Sequence, residues 1–227
     1  MGIITFSQCD KVILYMITVF ANQKGGVGKS TQSTAFAWEC MLNGQKVLLV
    51  DADPQQSILS WSDHRQIKFP NGINIIGMAK KTIHRDIVSL SDDYDHIVID
   101  TPGRSTDIAR SAIYAADVVI IPCKPSQRDV WAAMDVVDLI NEALIFKSNI
   151  KSAFLINMKT INTKLSKSIP EILRQENINI PLLKTEVCKR EIYAECGSGL
   201  AIQEVAKSSP ARKEVSDFYL EIMEMYK

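Results

Sequence analysis

The feature that most constrains the fold is a glycine-rich loop between an apolar run and a helical stretch. Ile17-Thr18-Val19-Phe20 leads to Lys24-Gly25-Gly26-Val27-Gly28-Lys29-Ser30, and Ser30 to Asn43 follows, with Phe36, Trp38, Met41 and Leu42 available for a buried side. A β-rich run that breaks into glycines and re-enters a helix is a strand–loop–helix unit, and its strand is buried only within a sheet covered by helices. Glycines at 25, 26 and 28 let backbone N–H groups converge on phosphate oxygens, and the helix start adds its positive end. The general pattern G-x-x-x-x-G-K-[ST] places its first glycine at position 23, where this chain has Gln23, so the loop is a variant. Lys29 is expected to reach the β- and γ-phosphates, the Ser30 hydroxyl to ligate Mg²⁺, and Thr31 to touch the α-phosphate.

Two further runs carry carboxylates. Lys46–Val50 ends in Asp51-Ala52-Asp53-Pro54-Gln55, and Tyr94–Ile99 ends in Asp100-Thr101-Pro102-Gly103. Both suit buried parallel strands, whose carboxyl ends face the crevice where open α/β sheets bind ligands. Asp51, Asp53 and Asp100 are therefore expected around one Mg²⁺-phosphate group, with Asp100 holding the metal through water. Pro54 and Pro102-Gly103 mark turns where backbone rearranges as a γ-phosphate arrives or leaves. The alternative for Asp51 and Asp53 is a cap on the following helix.

Asn22-Gln23-Lys24-Gly25-Gly26-Val27-Gly28-Lys29-Ser30-Thr31, with Val50–Gln55 and Ile99–Gly103, resembles the ParA/MinD ATPases with a deviant Walker A motif. A weaker likeness runs through Thr185–Tyr193 and Gly197-Ser198-Gly199, so the resemblance covers roughly residues 16 to 225. With no helix-turn-helix ahead of the loop, the chain is most similar to the small ParF-like partition proteins. The resemblance implies that Lys24 crosses an ATP-sandwiched homodimer to the partner's nucleotide, that Asp53 positions the attacking water, and that Asp51 and Asp100 belong to the magnesium shell. Catalysis then falls to Lys24, Lys29 and Asp53, and ATP is held by residues 24–31. Asn157, ending the run Ala153-Phe154-Leu155-Ile156, sits where some relatives read adenine; a strand-end turn residue is the other reading. The resemblance further implies nonspecific DNA binding, nucleoid association and a centromere-binding partner of the ParB or ParG kind.

Apolar runs alternate with helical segments along 227 residues of 46% hydrophobic content, which predicts a single α/β P-loop NTPase domain at 16–227: a mostly parallel twisted sheet with helices on both faces. Residues 1–15 read as an extension or an upstream start, since Met16 opens the first strand. Later strands are expected at 118–122, 151–157 and 178–183. Helices are expected at 54–65, 83–90, 106–115, 130–146, 165–175 and 211–225.

Five cysteines without Cys-x-x-Cys spacing, and three histidines far from them, speak against a zinc or iron–sulfur centre and for structural thiols in a reducing cytoplasm. The apolar stretch 12–21 is too short to span a bilayer. The C-terminal segment mixes Glu214, Asp217, Glu221 and Glu224 with Arg212, Lys213 and Lys227, the wrong balance for anionic lipid, and Val215, Phe218, Leu220, Ile222 and Met223 are expected to pack it onto the sheet. Net charge is zero, yet residues 147–190 carry nine basic and three acidic side chains, a phosphate-attracting excess to which Lys184, Lys189 and Arg190 belong. Three functions follow: a DNA-segregating ATPase, an ATPase of the same chemistry that positions a protein complex, and an ATP-dependent metabolic synthetase. The extra Lys24 and the basic excess disfavour the third.

Overall fold

A computed structural model describes residues 15–68, 72–104, 106–161, 163, 165–176, 178–205 and 208–227. Apart from Tyr15, the possible N-terminal extension lies outside the described residues. The strands are β1 (Met16–Phe20), β2 (Val47–Asp51), β3 (Asn74–Gly77), β4 (His96–Asp100), β5 (Val118–Cys123), β6 (Lys151–Lys159) and β7 (Leu182–Cys188). They form one sheet in the order β3-β2-β4-β1-β5-β6-β7, and every pairing is parallel. The chain leaves β1 for one edge, returns to insert β4 beside β1, and then builds toward the other edge. That reversal opens a crevice at the carboxyl ends of β1 and β4.

Helices cover both faces. On one lie α1 (Lys29–Leu42), α2 (Ser57–Lys68), α9 (Ile192–Glu195), α10 (Ile202–Val205) and α11 (Pro210–Met225); on the other lie α3 (Ile83–Asp86), α4 (Val88–Ser91), α5 (Thr106–Ala115), α6 (Gln127–Trp131), α7 (Met134–Leu144) and α8 (Ile169–Gln175). Successive strand residues point to opposite faces, and the two cores follow that parity. Ile17, Val19, Leu48, Val50, Ile97 and Ile99 enter the α5–α7 core, whereas Phe20, Val47, Leu49 and Val98 enter the α1–α11 core. Asp51 continues the parity of Val47 and Leu49, and Asp100 that of Val98. Both carboxylates therefore leave the sheet on the α1 side.

The expected helices over 83–90, 130–146 and 165–175 are each divided. The second splits because Ser126 caps α6, accepting from the Asp129 N–H, so a short helix forms ahead of α7. The third opens with a 3₁₀ turn at Leu165–Ser168. The last strand begins at Leu182 rather than near 178, after Pro181, which has no N–H to give a ladder. Edge strand β3, four residues long, is too short to show a period in sequence. On α11, Val215, Phe218 and Ile222 are fully buried, but Leu220 is exposed, as is Leu42 at the end of α1; neither packs as expected.

Candidate phosphate-loop site

Residues Asn22 to Gly28 lead from β1 to α1 across the top of the crevice. Asn22 Nδ2 donates to the Pro122 carbonyl at 2.9 Å, and its Oδ1 accepts from the Lys24 N–H at 2.8 Å, which fixes how the loop leaves the sheet. Gly26 and Gly28 have φ of 70° and 88°, a left-handed backbone that side chains oppose. Gly28 is the N-cap of α1 and brings no capping side chain, and among the described residues no side-chain cap bond forms there. Free donors and the positive helix end share one concavity, the arrangement that binds phosphate.

Lys29 is 8% exposed. Its Nζ lies 3.5 Å from the Lys24 carbonyl oxygen, and a Cβ on Gly103 would fall 3.5 Å from the same nitrogen. Burial draws its pKa down, while Asp100 and Asp53 push it up. Asp100 is fully buried. Its Oδ2 accepts from the Ser30 hydroxyl at 2.6 Å, and its Oδ1 is buried without a hydrogen-bond partner among the described residues. Burial pushes its pKa up to about 7, against the Ser30 hydrogen bond and the Lys29 charge, with Asp51 and Asp53 adding to the rise. An orphaned carboxylate oxygen beside a hydroxyl suits a hard divalent cation. The residues thus fit Mg²⁺, with phosphate oxygens and water completing the shell, since no group of three His, Cys, Asp or Glu among the described residues is placed to hold a metal alone.

Asp51, expected in the magnesium shell, is engaged by backbone N–H groups at the head of α2. Its Oδ2 accepts from the N–H groups of Ile58 and Leu59 at 2.9 and 3.1 Å, and its Oδ1 from Asp53 N–H at 3.1 Å. It caps the start of α2. Burial raises its pKa, and those three N–H groups lower it. Asp53 is half-buried and closes a local turn through Gln55 N–H at 2.9 Å. It is followed by Gln56 at φ 54°.

Asn157, expected near adenine or as a strand-end turn residue, lies beneath the loop. It is 1% exposed, with Nδ2 donating to the Val27 carbonyl at 2.7 Å and Oδ1 accepting from Gln32 Nε2 and Met158 N–H. As folded it braces the loop from beneath rather than presenting an amide to a base. The Lys24 Nζ pairs with Asp129 of α6 at 2.7 Å. Sequence reading missed Asp129 and Gln32. Ser126-x-x-Asp129 has the spacing of a helix cap, a signal not read in the sequence, and nothing in it announces a pairing with a lysine about a hundred residues away. A cavity of ≈ 280 Å³ adjoins Ser30 and Thr31 between α1, α2 and the segment from Tyr193 to Ile202.

The expected DNA-binding set divides. Lys184 and Lys189 are exposed, as are Lys151 and Lys167, and these four make no ion pair among the described residues. Arg190 is half-buried and pairs with Glu214 of α11 at 2.5 Å, so it ties β7's exit to the last helix. Lys147, Lys159 and Arg174 pair with Asp117, Glu186 and Glu171. Internal pairing thus neutralises part of the regional excess.

A model of the AAA domain family matches residues 15–71 and 57–156, together more than half of the chain. The chain belongs to the ParA/MinD-type P-loop ATPases. Among proteins of this type it is 26% identical over 207 residues to "Maintenance of carboxysome distribution protein A" of Halothiobacillus neapolitanus, covering 89% of this chain and 94% of that one. It is 28% identical over 127 residues to "Protein ParA" of Rhizobium radiobacter, and that match spans 56% of each chain. The fold matches the septum site-determining protein MinD of Pyrococcus horikoshii, solved with Mg-ADP, at a TM-score of 0.71 and 19% identity over 93% of this chain and 97% of that one. No helix among the described residues is long and apolar enough to cross a membrane.

Proposed function

We propose that this chain is a positioning ATPase that cycles between a monomer and an ATP-sandwiched homodimer, the dimer binding DNA without sequence preference. The observation that carries this reading is the pair of loop lysines. Lys29 lies inside its own loop beside Asp100 and Asp53, whereas Lys24, 31% exposed at its side chain, is paired with Asp129 of α6 rather than with a group of its own loop. A lysine with no phosphate of its own to neutralise is available to a second subunit's nucleotide.

In this reading one domain, residues 16–227, binds ATP through residues 24–31. Ser30 and Asp100 hold Mg²⁺, which neutralises charge on the β- and γ-phosphates when bound. Lys29 steadies the same oxygens from within, Lys24 from the partner, and Asp53 orients the attacking water through the oxygen its turn leaves free. Positioning and charge neutralisation suffice for phosphoryl transfer to water. Hydrolysis is slow until a partner stimulates it. Lys184 and Lys189, with Lys151 and Lys167, supply the DNA-facing charge.

Two cargoes fit. DNA segregation with a ParB- or ParG-like centromere-binding protein accords with the ParA relative, and positioning of a protein complex accords with the carboxysome-distribution relative, whose match covers most of both chains. The shared cycle is tested by sedimentation of the protein with Mg²⁺ and a slowly hydrolysed ATP analogue, alongside DNA binding across a salt series. The expected result is a dimer that binds DNA only with nucleotide and weakens steeply with salt. Lys24→Ala should lose both properties, and Asp53→Ala should retain the dimer while losing turnover. A monomer at saturating nucleotide, or a fully active Lys24→Ala, sinks the reading. A search for binders of the trapped dimer, DNA-binding proteins against cargo-complex components, separates the two cargoes.

A further inference from the structure

Beneath the phosphate loop lies a buried polar pair for which the hydrolysis scheme has no use. Asn157 and Gln32 are 1% and 2% exposed, and buried amides are destabilising unless paired. Their pairing converges on one peptide. Gln32 Nε2 donates to Asn157 Oδ1 at 3.2 Å, Met158 N–H donates to the same oxygen at 2.9 Å, and Asn157 Nδ2 donates to the Val27 carbonyl at 2.7 Å. The fit admits nothing larger, because a Cβ on Gly28 would lie 2.3 Å from Asn157 Nδ2. Met158 adopts φ 55°, a strained conformation for a non-glycine residue of the kind that concentrates at functional sites. The Tyr193 hydroxyl is buried beside Gln32.

The consequence follows from peptide geometry. The Val27–Gly28 peptide is trans, so its carbonyl and its N–H point in opposite directions. Drawing the Val27 carbonyl down onto Asn157 aims the Gly28 N–H up, into the concavity at the head of α1. We propose that Asn157, held in orientation by Gln32, is a positioning residue for the polyphosphate, acting through the Gly28 N–H and independently of the base. This assignment rests on the phosphate-loop reading above and replaces adenine recognition by Asn157.

The test uses ligands with and without a base. Isothermal titration of the full chain with the magnesium complexes of ATP, GTP and inorganic tripolyphosphate is compared among wild type, Asn157→Ala and Gln32→Met. Asn157→Ala should weaken all three ligands by a common factor of about ten, and Gln32→Met by a common factor of about three. The ATP-to-GTP ratio should stay at its wild-type value. A base reader behaves differently: loss of ATP with tripolyphosphate retained, or a changed ATP-to-GTP ratio, overturns the proposal, as does unchanged affinity in both variants. Gln32→Met keeps the side-chain volume while removing the amide, both the Nε2 donor to Asn157 and the Oε1 acceptor beside Tyr193, so it carries the test if Asn157→Ala fails to fold. Wild-type protein that binds neither ATP nor tripolyphosphate would instead overturn the phosphate-loop reading itself.

Discussion

Replacing Asp129 with asparagine removes one charge and almost no volume, and it should tighten the proposed nucleotide-dependent dimer while loosening the monomer's own fold. In the monomer, Lys24 Nζ sits 2.7 Å from Asp129 Oδ1, with the two side chains 31% and 8% exposed. Such a half-covered pair is worth about 1 kcal/mol, the upper end of what exposed pairs contribute. In the proposed dimer Lys24 leaves Asp129 for a partner's phosphates, so a symmetric dimer breaks two such pairs. The combined penalty is therefore about 2 kcal/mol, or about a 30-fold change in the dimer dissociation constant. Asparagine still accepts from the Ser126 hydroxyl, which bonds the Asp129 Oδ2 position, so the start of α6 survives. Sedimentation velocity over a protein concentration series, with Mg²⁺ and a slowly hydrolysed ATP analogue, measures the constant, and urea unfolding without nucleotide measures the fold. The two effects should have opposite signs. An Asp129→Asn dimer as weak as the wild type, or weaker, would show that the pair does not restrain Lys24.

Two further outcomes concern the scaffold. Gln56, at φ 54° in the turn between Asp53 and α2, occupies a backbone conformation that opposes a Cβ by about 1 kcal/mol, so Gln56→Gly should stabilise the protein by about that amount in urea unfolding; a less stable variant would refute the strain argument. His96 is fully buried, and burial lowers its pKa from 6.5 to about 3. The native state keeps it neutral while the unfolded chain takes up a proton below pH 6.5, so its contribution to stability is complete above pH 6.5 and is lost as pH falls toward 3. Between pH 7 and pH 5 that loss is about 2 kcal/mol, read by urea unfolding at the two values. His96→Gln should flatten the slope by this amount, and an unchanged slope would refute the assignment.

The phosphate loop and the parallel sheet were legible in the chain, and so was the convergence of Lys29, Ser30 and Asp100 at one crevice, because the signals are local. Glycine spacing fixes where backbone N–H groups converge, and short apolar runs ending in aspartate fix which carboxylates reach the crevice. Strand parity alone sends Asp51 and Asp100 to the α1 face. Parity does not decide what a carboxylate bonds once it arrives. Asp51 is claimed by the free N–H groups of α2, and Asp100 by Ser30 with one oxygen left over. The same limit hid three other partnerships: Asn157 with Val27, Lys24 with Asp129 and Arg190 with Glu214. Each joins residues far apart in the chain, and hydrogen bonds and ion pairs act only over a few ångströms. Residue spacing therefore determined which groups could serve phosphate, and packing alone decided which were already engaged elsewhere.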